Sequence, residues 1–228
     1  MTSTTRTAAF SDVDETLIRV KSMFRFLEFY LRGRGEPPAT FERLTGELRQ
    51  AALRGAARAD VNRRYYRLLR GESARRLADE GRRWFAAEWR ELDEGLYVPE
   101  VEEALAAHRK AGRDVVLVSG SFFGPLDPIA ADVGASAVLA TRPVIRRGEL
   151  TGEVLAPMIG EAKGRAVRLT APLAGLDLAG SWAYGDHGSD LPMLRAVGHP
   201  VAVGYDPELA VHASAPGWGR LLPGPARR

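Results

Sequence analysis

The chain has 228 residues, of which 45% are apolar and 27% charged, the balance of a soluble globular protein rather than a disordered or fibrous one. It contains no cysteine, which excludes disulfide scaffolds, thiolate zinc sites, cysteine nucleophiles and iron–sulfur clusters together. The net charge of +3 is mild, and among 32 basic residues only Lys21, Lys110 and Lys163 are lysines, so the charge names no partner.

The length suggests one domain, or one domain carrying a sizeable insertion. Met1 to Ala9 is polar with a single Arg6 and does not resemble a leader peptide. No run reaches the ~18 apolar residues of a membrane span. The expectation is a cytoplasmic protein without a membrane partner. Ala8 to Val13 reads as a short buried strand ending in charged residues. From Ile18 to about Glu94 the apolar spacing is helical throughout, with Met23, Phe26, Leu27, Tyr30 and Leu31 on one face and a Gly/Pro loop at Gly33 to Pro38. Its aromatic cluster, Trp84, Phe85 and Trp89, is simplest as packing within this block or against the rest of the chain.

Beyond Pro99, helices and strands alternate. A helix is expected over Glu100 to Ala111, a strand over Asp114 to Val118, a helix over Pro128 to Val133 and a strand over Ala137 to Ala140. A hairpin turning at Gly148 spans Val144 to Val154. Then follow a helix at Glu161 to Leu169, a strand at Trp182 to Tyr184, a helix at Leu191 to Val197 and a strand at Val201 to Val203, with a loosely held tail from Ala215. Short apolar strands alternating with helices predict an α/β fold with a mostly parallel sheet. Ligands of such sheets bind beyond the carboxyl ends of the strands, so the chemistry is sought there.

The first strand runs into Asp12-Val13-Asp14-Glu15-Thr16. Carboxylates two apart in an extended segment point the same way and can share a metal or divide the roles of nucleophile and acid/base. Ser119-Gly120 ends a later strand and offers a hydroxyl and backbone donors to an anion. Lys163, in the first turn of an expected helix, can neutralise a transferring phosphoryl group. Tyr184-Gly185-Asp186-His187-Gly188-Ser189-Asp190 sets two acids four apart around a glycine-containing loop, an oxygen-rich arrangement suited to Mg²⁺. Asp190 can equally cap the helix that follows it, and His187 reads as a solvated loop residue.

Taken in order, Asp-x-Asp-x-Thr, Ser-Gly, a lysine and Gly-Asp-x-x-x-Asp closely resemble the haloacid dehalogenase (HAD) superfamily, from Ala8 to about Ala213. A helical insertion directly after the first motif is similar to the phosphoserine-phosphatase-like branch, subfamily IB, with a small helical C1 cap. The resemblance implies a Rossmann-like core at 1–17 and 95–228 and a cap domain at 18–94. It implies that Asp12 attacks phosphorus, that Asp14 acts as acid and then base, and that Mg²⁺ lies on Asp12, Asp14 (through its carbonyl), Asp186 and Asp190. Ser119, Gly120 and Lys163 would bind the phosphoryl oxygens. Members that attack carbon lack the second acid, so dehalogenation is disfavoured.

One position departs. Phosphoserine phosphatases place a glutamate nine residues after the nucleophile to hold the substrate's ammonium; here that residue is Lys21, which argues against phosphoserine and for an anionic or hydroxyl-rich group. The insertion is also basic, with ten arginines against four acids between Arg54 and Arg83, most simply a solvated helical face. No nucleic-acid motif accompanies that charge. The expected activity is Mg²⁺-dependent hydrolysis of a small phosphorylated metabolite through an aspartyl-phosphate. The alternatives are a phosphotransferase on the same fold, or a non-catalytic module that binds a phosphorylated ligand.

Overall fold

The computed structural model describes residues 6–92 and 95–224, except for the side chain of Glu91. Six parallel strands form one sheet: β1 (Ala8–Ser11), β2 (Asp114–Ser119), β3 (Ala137–Ala140), β6 (Trp182–Gly185), β7 (His199–Val203) and β8 (Gly219–Leu221). Their order is β3-β2-β1-β6-β7-β8. A separate antiparallel hairpin joins β4 (Pro143–Arg146) to β5 (Glu149–Val154), turning at Arg147-Gly148 as the sequence suggested.

The strands are apolar because both sheet faces are covered. Residues of one parity, among them Ala9, Val115, Leu117, Tyr184, Val201 and Val203, join one core cluster. Their neighbours Ala8, Phe10, Val116, Val118, Ala183 and Ala202 join a second. The period of two in side-chain direction thus divides a continuous apolar run between two layers. The first layer is closed by α5 (Pro99–Lys110) and α6 (Phe123–Asp132), the second by α7 (Glu161–Ala174), the single turn α8 (Leu191–Leu194) and α9 (Pro207–Ala213).

Between β1 and α5 lie four helices: α1 (Ser22–Gly33), α2 (Pro38–Leu53), α3 (Arg58–Leu68) and α4 (Ala74–Glu91). Pro38 at the first position of α2 suits a site whose N–H has no helical partner, and the Ser73 hydroxyl caps α4. The expected end of this block, Glu94, lies outside the described residues. Trp84 is fully buried edge-on to Phe26, whereas Trp89 is nearly half exposed and sits against Tyr97 of the chain's return to the sheet. The outgoing and returning segments run side by side: Arg19 N–H donates to Leu96 O, and Val98 N–H to Leu17 O, each at 2.9 Å.

Several boundaries differ from expectation. α6 starts at Phe123 rather than Pro128, because Pro125 falls in its first turn, where a proline is tolerated. Pro128 inside this helix has no N–H for the Gly124 carbonyl, and that carbonyl packs against Gly81 of α4, where a Cβ would lie 1.9 Å away. α7 runs past Leu169 to Ala174, and the helix expected over Leu191 to Val197 is one turn only. The tail is not loose throughout: β8 pairs with β7 along the sheet edge, with Ala202 opposite Arg220. No described helix is long and apolar enough to cross a membrane.

Candidate active site

Three adjacent strands, β2, β1 and β6, deliver Ser119, Asp12 and Asp186 to one end of the sheet. The Asp12 N–H donates to Tyr184 O at 2.9 Å, which ties the end of β1 to β6. α7 brings Lys163 over the same edge, buried to 4% exposure, with Nζ 2.6 Å from Asp12 Oδ1 and 2.6 Å from Asp190 Oδ1. Burial alone would lower the Lys163 pKa, but the charges of Asp12 and Asp190 and their hydrogen bonds outweigh it and raise it. The ammonium is therefore firmly charged. Burial is the main cause that raises Asp12 well above the usual carboxylate range; Asp190 adds to it and Lys163 opposes it.

Asp190 does not cap α8. Its Oδ2 turns back to accept the His187 N–H at 3.3 Å, closing a capping box with the His187 ring, which accepts from Ser189 N–H at 2.9 Å. His187 is thus held in the loop and lines the cavity rather than projecting into solvent. Gly185 permits this approach, since a Cβ there would stand 2.6 Å from Asp190 Cβ. Asp186 accepts from the Thr16 hydroxyl at 2.6 Å, and burial leads the causes that raise its pKa.

Asp14 accepts the Ser22 N–H at 3.1 Å, and burial pushes its pKa up to about 6 despite that bond. A carboxyl placed there exchanges a proton near neutral pH. Ser119 is buried, its Oγ accepting from Ser121 N–H at 3.1 Å. Lys21 lines the cavity as well, half exposed and 3.2 Å from Glu15. All eight residues singled out from sequence therefore meet at one end of the sheet, seven of them on the wall of one cavity of about 700 Å³, with Asp190 behind Lys163.

Carboxylate oxygens of Asp12, Asp186 and Asp190 lie within 4.8 Å of one another. Three carboxylates face one lysine, so the cluster is short of positive charge. Oxygen donors alone, with surplus negative charge, fit a hard divalent cation such as Mg²⁺. Asp190 is the least available of the three, since both its oxygens already have partners.

The profile of the haloacid dehalogenase-like hydrolases matches residues 9–195. The chain belongs to this family. A probable phosphatase of Mycobacterium tuberculosis is 35% identical over 222 residues, spanning 93% of this chain and 74% of that protein. Among solved structures, a Bordetella pertussis protein of unknown function superposes with a TM-score of 0.82 at 30% identity, covering 96% of this chain and 99% of that one. A substrate-bound phosphoserine phosphatase superposes with a TM-score of 0.67, covering 95% of this chain and 92% of that one; at 21% identity that likeness speaks for the fold. This HAD hydrolase is thus phosphoserine-phosphatase-like in architecture.

The fold adds residues that the motifs did not reveal. Asn62 Nδ2 and the Tyr66 hydroxyl, both on α3, donate to the Gly120 carbonyl at 2.9 and 3.0 Å. They clamp the end of β2 from the helical insertion. The Ser22 and Ser121 hydroxyls meet at 2.9 Å across the same boundary. These contacts join residues 54 to 99 apart in sequence, and no local pattern encodes them. The one local signal was Thr16, quoted within the first motif but given no task; it orients Asp186.

Proposed function

We propose that the protein is a phosphatase that hydrolyses a phosphomonoester of a small molecule through a phosphorylated Asp12. The observation that carries this reading is the pairing of Asp12, fixed at the strand end against Lys163, with Asp14, whose raised pKa lets it carry a proton near neutrality. Lys163, the Ser119 hydroxyl and the Gly120 N–H receive the phosphoryl oxygens, and the clamp from Asn62 and Tyr66 fixes the Gly120 peptide. An Asp12 oxygen forms the new bond to phosphorus while the bond to the alcohol oxygen breaks, and Asp14 gives that oxygen its proton. Asp14, now a base, takes a proton from water as the water oxygen attacks phosphorus. The Asp12–phosphorus bond breaks and both carboxyls return to their starting states.

Mg²⁺ would be held chiefly by Asp12 and Asp186, with the Asp14 carbonyl and Asp190 completing the site, and would supply charge that offsets repulsion between carboxylate and phosphate. Residues 18–94 serve as a cap domain over a core formed by 1–17 and 95–228, selecting substrate and excluding water. Lys21, on the cavity wall where an ammonium-binding acid would favour phosphoserine, favours a different substrate. A phosphotransferase would use the same first half-reaction, and added alcohol raising turnover would reveal it.

Phosphate release from a panel of phosphorylated metabolites, with Mg²⁺ and with EDTA, tests the reading in wild type and Asp12→Asn. Release that requires both Mg²⁺ and Asp12 is expected. Release that persists in Asp12→Asn would overturn it.

A further inference from the structure

The cavity above Asp12 holds about 700 Å³. With about 30 Å³ per water-sized group, that is room for roughly twenty such groups, far more than a phosphoryl group and a three-carbon alcohol occupy. It falls within the range of about 300–1,000 Å³ found for pockets that take drug-sized ligands. Away from Asp12 and Lys163 the wall is largely apolar: Phe24 from α1, Leu48 from α2, Val61 from α3 and Ile159 before α7.

Set into this wall are five cations, Arg19, Lys21, Arg25, Arg49 and Arg58, and, besides Asp12, Asp14 and Asp186, one carboxylate, Glu15. Glu15 is 3.2 Å from Lys21, Arg25 is 3.0 Å from Glu88, and Arg49 is 3.0 Å from Glu42. Arg19 and Arg58 have no carboxylate partner among the described residues. Arg58 is exposed, whereas Arg19 is half-buried and its Nε is shut off from solvent with no hydrogen-bond partner. Arg19 is thus a cavity-wall cation, partly removed from water, that no described carboxylate balances, and an anion on a ligand would supply the missing counter-charge. A substrate ammonium away from the three aspartates, by contrast, would meet five cations and one carboxylate already engaged.

We propose that the released alcohol is amphiphilic: an apolar segment of several carbons lies against Phe24, Leu48 and Val61, and it carries a second anionic group, carboxylate or phosphate, received by Arg19. This rests on the phosphatase reading above. It assigns the helical insertion a specificity for substrates that are acidic at both ends and greasy between.

The test compares kcat/KM for phosphoserine, octyl phosphate, and the two octyl phosphates bearing a terminal carboxylate or a terminal phosphate, all below the concentrations at which they aggregate. p-Nitrophenyl phosphate reports the chemistry alone. The doubly anionic octyl compounds should exceed phosphoserine by at least about tenfold, and should exceed octyl phosphate severalfold. Whichever terminal anion is preferred separates carboxylate from phosphate. In Arg19→Gln the preference over octyl phosphate should fall by about tenfold, with part recovered in Arg19→Lys. Phosphoserine matching or surpassing the octyl compounds in wild type would overturn the inference, and so would a preference unmoved in Arg19→Gln. If p-nitrophenyl phosphate is hydrolysed while the octyl compounds are not, this inference alone fails. If nothing is hydrolysed, the phosphatase reading fails and takes this one with it.

Discussion

Lys163→Met removes a charge from the least solvated part of the site while keeping most of the side chain's volume. In wild type the ammonium, 4% exposed, holds Asp12 and Asp190 at 2.6 Å each. Removing one partner from a buried ion pair costs about 3–5 kcal/mol, mostly because the other charge stays buried without compensation. Two carboxylates are stranded here, so the loss should reach that range, read by urea denaturation in EDTA. It should also depend on pH. Asp12 is already raised by burial and by Asp190, and Lys163 is what lowers it, so the variant raises it further. A carboxyl raised in the folded state stabilises fully below its unfolded value and loses that stability as pH climbs through the folded value. The deficit of the variant should therefore shrink between about pH 7.5 and about pH 5. Adding Asp190→Asn to the variant should restore at least about 1 kcal/mol by removing one stranded charge. A loss below about 1 kcal/mol, or a deficit equal at both pH values, would refute the reasoning.

Asp14→Asn should cut kcat by about 10²–10⁴ and remove the limb of the pH–rate profile near 6, where burial places its pKa; an unchanged profile would take away its acid/base role. His108 is buried against the Tyr184 hydroxyl at 2.8 Å, and desolvation, helped by Arg113, lowers its pKa to about 4. Its contribution is present above its ordinary value near 6.5 and lost as pH falls toward 4, up to about 3 kcal/mol. Wild type should thus lose more stability over that window than His108→Gln, and equal losses would contradict the assignment. Gly185→Ala sets a Cβ 2.6 Å from that of Asp190. It should cost about 1–3 kcal/mol and lower activity, both checked on the purified variant.

Much of the candidate site was legible because Asp12, Ser119 and Asp186 sit at or just beyond strand ends, where a short apolar run followed by acids or Ser-Gly marks both the element and the place where chemistry gathers. β3 falls on the expected residues, Ala137–Ala140, because it is a short apolar run closed by Thr141-Arg142-Pro143. Glycine and proline misled where they act within elements: Pro125 and Pro128 delayed the expected start of α6, and Pro172 lies inside α7. α9 and β8 were passed over because each is short: β8 takes its order from pairing with β7, whereas α9 carries its own start signals, the Asp206 cap and Pro207 in its first turn. The role of Asp190 was only half legible. Its spacing from Asp186 suggested a metal ligand or a helix cap, but only the folded chain shows both its oxygens turned to Lys163 and His187. The clamp on Gly120 could not be read at all, since Asn62 and Tyr66 look like ordinary residues of an amphipathic helix.

The most direct test of the account is to acid-quench the Asp14→Asn variant during turnover with Mg²⁺ and p-nitrophenyl phosphate, and to map any phosphoryl group by mass spectrometry of its peptides. The account predicts one phosphoryl group, on the peptide containing Asp12, labile to hydroxylamine and missing when Asp12→Asn is added. Phosphate release with an unmodified Asp12 peptide, or a phosphoryl group on Ser119 or His187, would contradict it.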